Sequence, residues 1–340
     1  MDVNINAGLI EPCFEALLEV ATPDSDLYYE LELISRRTGP LAIQKRGGKI
    51  IESFPWPISK ELTHLFSSSY NIRDQNRLLK IFRVAERISQ FLSFCWLVQL
   101  WDAKNLDPSI KLSADLITQC ASLKKPTIGT FLGIIRASST IMFEEELPIF
   151  FKDKDIKERT GHLIQEIEKL TVSRNKEIHF KEELTCHYVE EILANIMVQA
   201  AFLVKYPLVS VKKIQVSKPK LSKVSYGHEF DYLNSQRSEF IGGYIELDSY
   251  SESYSVLLLE NLQSMGSYLN LSPFVINTEP LLESRGSSQV MHGLYMYLEN
   301  DKNKIQYSFV NETDIQELSN MPEADIFGRQ WDNFFEVLSV

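Results

Sequence analysis

The chain has 340 residues, 44% of them hydrophobic and 24% charged, with a formal net charge of -11. That length suits two domains of roughly 150 residues each, and the composition is that of a globular protein. An acidic balance excludes a protein that coats DNA through a broad basic surface, but leaves room for a local RNA site. Cys13, Cys95, Cys120 and Cys186 show no CxxC or Cys/His ligand spacing, so neither zinc, nor another metal, nor a disulfide framework is expected. The start, Met1-Asp2-Val3-Asn4, has no basic and apolar leader pattern. The most apolar run, 88–101, is broken by Ser89, Gln90, Ser93 and Gln99 and is shorter than the ~20 residues that span a bilayer. A cytoplasmic protein without a membrane partner is expected.

Residues 8–20 read as a short helix through Leu9, Phe14, Leu17 and Leu18. Residues 27–52 read as mixed, with a turn at Gly47-Gly48 between two short extended pieces. Phe54-Pro55-Trp56-Pro57 breaks regular structure. A long helix follows over about 73–103, where Leu78, Ile81, Phe82, Ala85, Ile88, Leu92, Cys95, Trp96 and Leu100 recur at helical spacing. Further helices are expected over 113–123, from Pro126 through Ile141, over 154–170 and over 182–205. Tyr206-Pro207 stops the last of these.

Beyond that point the pattern alternates. Extended runs are expected at 209–216, 243–247, 254–259, 268–276, 294–298 and 304–309, separated by Gly, Pro and Asn turn signals. Residues 313–338 read as helix and coil. The expected class is α+β, with an N-terminal helical bundle and a C-terminal antiparallel β-rich domain. The expected division is a mixed extension over 1–53, a helical domain over 54–205 and a β-rich accessory domain over 206–340.

One short stretch carries chemistry. Between the helices at 154–170 and 182–205 lies Arg174-Asn175-Lys176-Glu177-Ile178-His179. A histidine can move protons near neutral pH. An arginine can grip a phosphate and neutralise charge that builds on it. Arg, a polar residue after it, and His five positions from the Arg form the R-x4-H pattern of the HEPN superfamily of all-α domains, which the chain resembles. A second formal hit, Arg285 to His292 with six residues between, lies in a Gly/Ser turn and reads as chance.

The order of segments extends the resemblance over roughly 54–310. A long apolar helix bearing Phe82-Arg83-Val84-Ala85-Glu86 precedes Pro126-Thr127-Ile128-Gly129-Thr130-Phe131-Leu132, the motif, and a closing helix ending Leu203-Val204-Lys205-Tyr206-Pro207-Leu208. This looks like HEPN-like regions of large bacterial proteins in which a short β-rich module follows. Tyr268-Leu269-Asn270-Leu271-Ser272-Pro273-Phe274 is similar to a piece of that module.

The resemblance implies a metal-independent endoribonuclease without cofactor, of the kind common in bacterial anti-phage defence and toxin systems. It also implies a homodimer that joins two motifs in one cleft. Separately, a protein partner or regulator is expected on the β domain. Arg174, Asn175 and His179 are the implied catalytic residues. On an ideal helix Arg174 and His179 diverge by roughly 140°, whereas Asn175 and His179 share a face, so Asn175 can orient the imidazole while Arg174 approaches from the helix start. Asn175 equally fits an ordinary N-cap, and the whole stretch fits a solvated helix N-terminus with His179 packed on Phe180. Lys176, Lys212 and Lys213 are candidates for RNA contact; the lysines from 205 to 223 otherwise read as a solvated strand edge. His162 and His187 read as surface histidines, Glu144-Glu145-Glu146 as a solvated charge run, and Arg36, Arg37, Lys45, Arg46 and Lys49 as a second basic cluster on a solvated face. The alternative to catalysis is an interaction module whose helical bundle dimerises or docks on a partner while the β domain senses a ligand or protein.

Overall fold

Helical periodicity fills the chain up to Lys205 and two-residue alternation takes over from Leu208, and the structure follows that change. The computed structural model describes residues 5–175, 186–221, 223–234, 242–247, 249, 251, 255–262, 266–278, 293–301, 304–310, 315–321 and 324–338. Nine helices precede the sheets among the described residues: α1 Ala7–Val20, α2 Asp26–Ser35, α3 Pro40–Ser53, α4 Trp56–Leu65, α5 Gln75–Leu106, α6 Ala114–Ala121, α7 Ile128–Glu144, α8 Ile156–Asn175 and α9 Cys186–Ala200. α10, Ala324–Val337, follows the strands. The class is α+β, with helices first and antiparallel sheets after. Among the described residues, no helix is long and apolar enough to cross a membrane.

The chain divides into two compact units: 1–91 with 152–206 and 234–237, and 92–151 with 207–233 and 238–340. Residues 1–53 thus belong to the same unit as the helices around the motif, and α5 contributes to both units.

In the first unit, α1 packs on α3 and α9, and α9 packs on α8. The apolar stripes match that arrangement. α8 buries Ile156, Leu163, Ile167 and Leu170, and α9 buries Val189, Ile192, Leu193, Ile196 and Met197. The mixed reading of 27–52 is corrected, because α2 and α3 occupy it. α2 was hard to see because it buries only Leu31, although Ser25 caps it by accepting from the Tyr28 N–H. α3 runs straight through Gly47-Gly48. A Cβ on Gly47 would sit 2.9 Å from Ile10 Cδ1, so this glycine lets α3 press against α1. Packing here overrides the low helix propensity of two glycines. Gly39, at φ 86, starts α3 in a conformation that favours glycine. The break at Phe54-Pro55 lasts only two extended residues, and α4 begins at Trp56 with Pro57 in its first turn.

In the second unit, α7 starts on a reciprocal Thr127/Thr130 capping box. Two sheets form, with all described pairings antiparallel. The first contains β1 Leu208–Ser217, β2 Ser225–Tyr232, β3 Gly242–Leu247, β4 Val256–Leu259 and β5 Tyr268–Asn270, in the order β3-β2-β1-β4-β5. The second contains β6 Val275–Asn277, β7 Leu294–Asp301, β8 Lys304–Phe309 and β9 Ile315–Glu317 in sequence order. β2 and β9 were not expected. β2 hides its alternation behind a glycine and two acids. Its Gly227 lies under the Tyr244 ring and Gly243 lies under Phe230, so aromatic rings cover the bare backbone. The run 268–276 was expected to be one strand. It splits at Leu271–Phe274, so that β5 and β6 join different sheets.

Phe274 enters the core of the second sheet at 4.8 Å from Trp331 and 5.1 Å from Phe334 of α10, measured between ring centroids. Beside them the Trp331 Nε1–H donates to the Tyr307 hydroxyl at 2.9 Å, and that hydroxyl donates to the Pro273 carbonyl at 2.7 Å.

Candidate functional site

The buried stripe of α8 decides where the motif begins. Arg174 lies four residues beyond the buried Leu170, so it extends the same helix face. Its guanidinium remains 30% exposed and Nη1 lies 3.9 Å from Glu86 Oε2 on α5. Asn175, the last residue of α8, is exposed. Both residues therefore occupy a helix C-terminus, which corrects the expected helix start and removes the N-cap role for Asn175. The physical reason is that the α8 stripe does not end at Leu170; Ser173 is buried one turn on and its hydroxyl donates to the Lys169 carbonyl at 2.9 Å. An arginine is favoured at this end by the negative pole of the helix. Lys176 and His179, like Arg285 and His292, lie outside the described residues.

The next described helix, α9, begins at Cys186. The Cys186 thiol donates to the Asp74 carbonyl at 3.4 Å. Four residues on, Glu190 receives the Arg77 Nε–H at 2.6 Å and the Arg73 Nε–H at 2.9 Å. Arg77 is 0% exposed, and its remaining donors reach the Tyr70 carbonyl at 2.7 Å and Asn6 Oδ1 at 2.9 Å. This is a satisfied buried guanidinium rather than an isolated charge.

The described helices on either side, α8 and α9, both meet α5, at Glu86 and at Arg77. Nine helical residues separate these points, about 13 Å along the axis. The α5 face between them is basic. Arg77, Lys80, Arg83 and Arg87 follow at intervals of three, three and four, which places them on one side of the helix. Lys80 lies 2.5 Å from Glu61, Arg83 lies 3.7 Å from both Glu61 and Glu86, and Arg87 lies 3.9 Å from Glu61. Burial raises the Glu61 carboxyl pKa, but the Lys80 hydrogen bond and the Lys80, Arg87 and Arg83 charges outweigh it and hold it below the usual value. Burial and neighbouring Arg83 bring Arg87 down to about 10. Burial, Lys80 and Lys60 depress His64.

This basic helix face was missed. Its signal was present as cations at three- and four-residue spacing inside the apolar helix 73–103. Its cations are engaged with Glu61, Glu86 and Glu190, so it forms a partly buried ion-pair network that reaches Arg174 through Glu86.

The remaining candidates do not gather there. Lys212 and Lys213 belong to β1 in the other unit and are both exposed. Lys212 pairs with Asp231 at 2.5 Å and Lys213 with Glu229 at 3.8 Å, so each already faces a carboxylate. A register shift between Val211 and Lys213 turns both outward. His162 and His187 are exposed, and His187 lies 3.3 Å from Glu191. Cys13, Cys95 and Cys120 are buried, with thiol pKa values raised by burial. Among the described residues no group of three or more His, Cys, Asp or Glu side chains is placed to hold a metal ion. No family model, no curated protein and no solved structure matches this chain.

Proposed function

We propose that the protein is a metal-independent endoribonuclease of the HEPN type. The observation that carries this reading is the placement of Arg174. It is half-exposed, held by Glu86, and stands at the entrance of the segment that bears His179. In the proposed reaction a His179 imidazole takes the proton of a ribose 2′-hydroxyl. The oxygen attacks the adjacent phosphorus, and the 5′-oxygen leaves with a proton from the His179 of a second subunit. Arg174 stabilises the charge on the pentacovalent phosphate. The products are a 2′,3′-cyclic phosphate and a 5′-hydroxyl, and the requirement for a 2′-hydroxyl makes the substrate RNA. A symmetric homodimer lets one short motif supply both acid and base. Exposed Leu79, Val172 and Tyr188 on α5, α8 and α9 provide apolar surface for such a contact. A cytoplasmic setting in anti-phage defence or a toxin system fits this activity.

The second reading is a non-catalytic interaction module. Its support is that the same exposed apolar side chains suit docking without chemistry, and that the Arg174–Glu86 pair also serves to fasten α8 to α5. The test is incubation of purified protein with end-labelled RNA in EDTA. Cleavage yielding cyclic-phosphate ends, lost in Arg174→Ala and His179→Ala, supports the nuclease; intact RNA supports the interaction module.

A further inference from the structure

A cleft of about 530 Å³ opens in the second unit, where the last turns of α5 meet the approach to β5. Its volume falls within the ~300–1,000 Å³ range of small-molecule sites. Asp102, Asn105 and Leu106 line it from α5, at spacings of three and four that share one helix face. Ser249, Ser267 and Tyr268 line it from the other side, and the Ser249 and Tyr268 hydroxyls are hydrogen-bonded at 2.8 Å.

Asp102 is the unusual member. Water reaches its side chain through the cleft, yet protein surrounds the carboxyl closely enough that burial pushes its pKa up to about 7. The floor of a concavity produces that combination. α5 ends at Leu106, so the carboxylate also stands near the negative pole of a long helix. Among the described residues it has no ion-pair or hydrogen-bond partner. Lys104, two residues on, donates instead to the Pro108 and Ile110 carbonyls, each at 2.6 Å. Burial, the helix pole and the lack of a cation all oppose negative charge here, and a cationic ligand reverses that balance.

We propose that this cleft binds a free aliphatic diamine. One ammonium sits on the Asp102 carboxylate, beside the Tyr268 ring. The methylene chain lies along Leu106, an apolar side chain left 88% exposed. The second ammonium donates to the Ser267 hydroxyl oxygen, whose own proton goes to the Glu260 carboxylate. Glu260 has no cationic partner among the described residues. A metal ion fits less well, because among the described residues no three acidic, His or Cys side chains gather to hold one. The assignment is independent of RNA cleavage at the motif.

Calorimetric titration of the full chain with putrescine, butylamine, Nα-acetyl-lysine amide and magnesium chloride tests it. Putrescine should bind saturably, about tenfold or more tightly than the monoamine or the blocked lysine, since each charge-assisted hydrogen bond is of that order. Asp102→Asn should weaken putrescine by a similar factor and raise Tm, because it removes a disfavoured charge. Glu260→Gln should bring putrescine toward the affinity of butylamine and leave butylamine unchanged. Glu144→Gln, an exposed acid at the end of α7 in the same unit, should leave binding unchanged. No saturable putrescine binding up to millimolar concentration would overturn the proposal. So would the blocked lysine or magnesium binding as tightly as putrescine, or Asp102→Asn binding as well as the parent protein.

Discussion

Glu86 on α5 lies 3.9 Å from Arg174 in the last turn of α8, across a partly exposed surface. A pair of this kind contributes at most about 1 kcal/mol to stability. Its consequence is for position rather than fold. Glu86→Gln should leave the denaturation midpoint nearly unchanged while lowering RNA cleavage by about tenfold or more in kcat, since Arg174 loses its orientation. Unchanged kcat in Glu86→Gln, measured on a defined oligoribonucleotide, would separate this pair from catalysis.

His179→Ala should lower cleavage by ~10²–10⁴-fold, the usual effect of removing an acid-base group. Arg174→Ala should fall by a similar factor, and Asn175→Ala by less, because in the proposed site it would only orient His179. His292→Ala should cleave like the parent protein. Initial rates in EDTA, with circular dichroism as the folding control, check all four. Survival of the His179 variant together with loss in the His292 variant would move the site.

Glu190→Gln leaves the wholly buried Arg77 without its carboxylate. The expected cost is about 3–5 kcal/mol in urea unfolding. Lys213→Ala, at an exposed strand pair, should cost less than about 1 kcal/mol. Similar costs for the two would mean that the Arg77 network relaxes onto water.

Acid should weaken the fold partly through Glu61. Its folded-state pKa lies below the ordinary carboxylate value, because the nearby cations outweigh burial. The unfolded state therefore binds a proton more readily, so this group stabilises the fold above the ordinary carboxylate pKa. That contribution is lost as pH falls through the folded-state value. Urea midpoints measured from pH 7 downward should drop less steeply in Glu61→Gln than in the parent protein. Parallel slopes would place the acid sensitivity elsewhere.

Tyr307→Phe removes a hydroxyl that accepts from Trp331 and donates to the Pro273 carbonyl. Both partners are then left unsatisfied in an aromatic core, at a cost of about 1–3 kcal/mol. Equilibrium unfolding measures it, and a loss below the error of the extrapolation would imply that water enters beside Pro273.

Local pattern carried most of the elements. The apolar spacing from Leu78 to Leu100 marked α5, and the change of period after Tyr206-Pro207 marked the passage from helices to sheets. Both are properties of neighbouring residues. α2 and α3 were not legible for the opposite reason. α2 buries one side chain, and the glycines of α3 signal a turn until Ile10, far away in the chain, is seen to press on Gly47. The R-x4-H stretch was visible as residue types in order, but its setting was not. Arg77 and Glu190 are 113 positions apart, and Arg174 finds Glu86 on a helix that precedes it by half the chain's helical region. Periodicity places a residue on a face of its own helix. Only packing decides which charge from another helix that face meets, because burial without a partner would be too costly to persist.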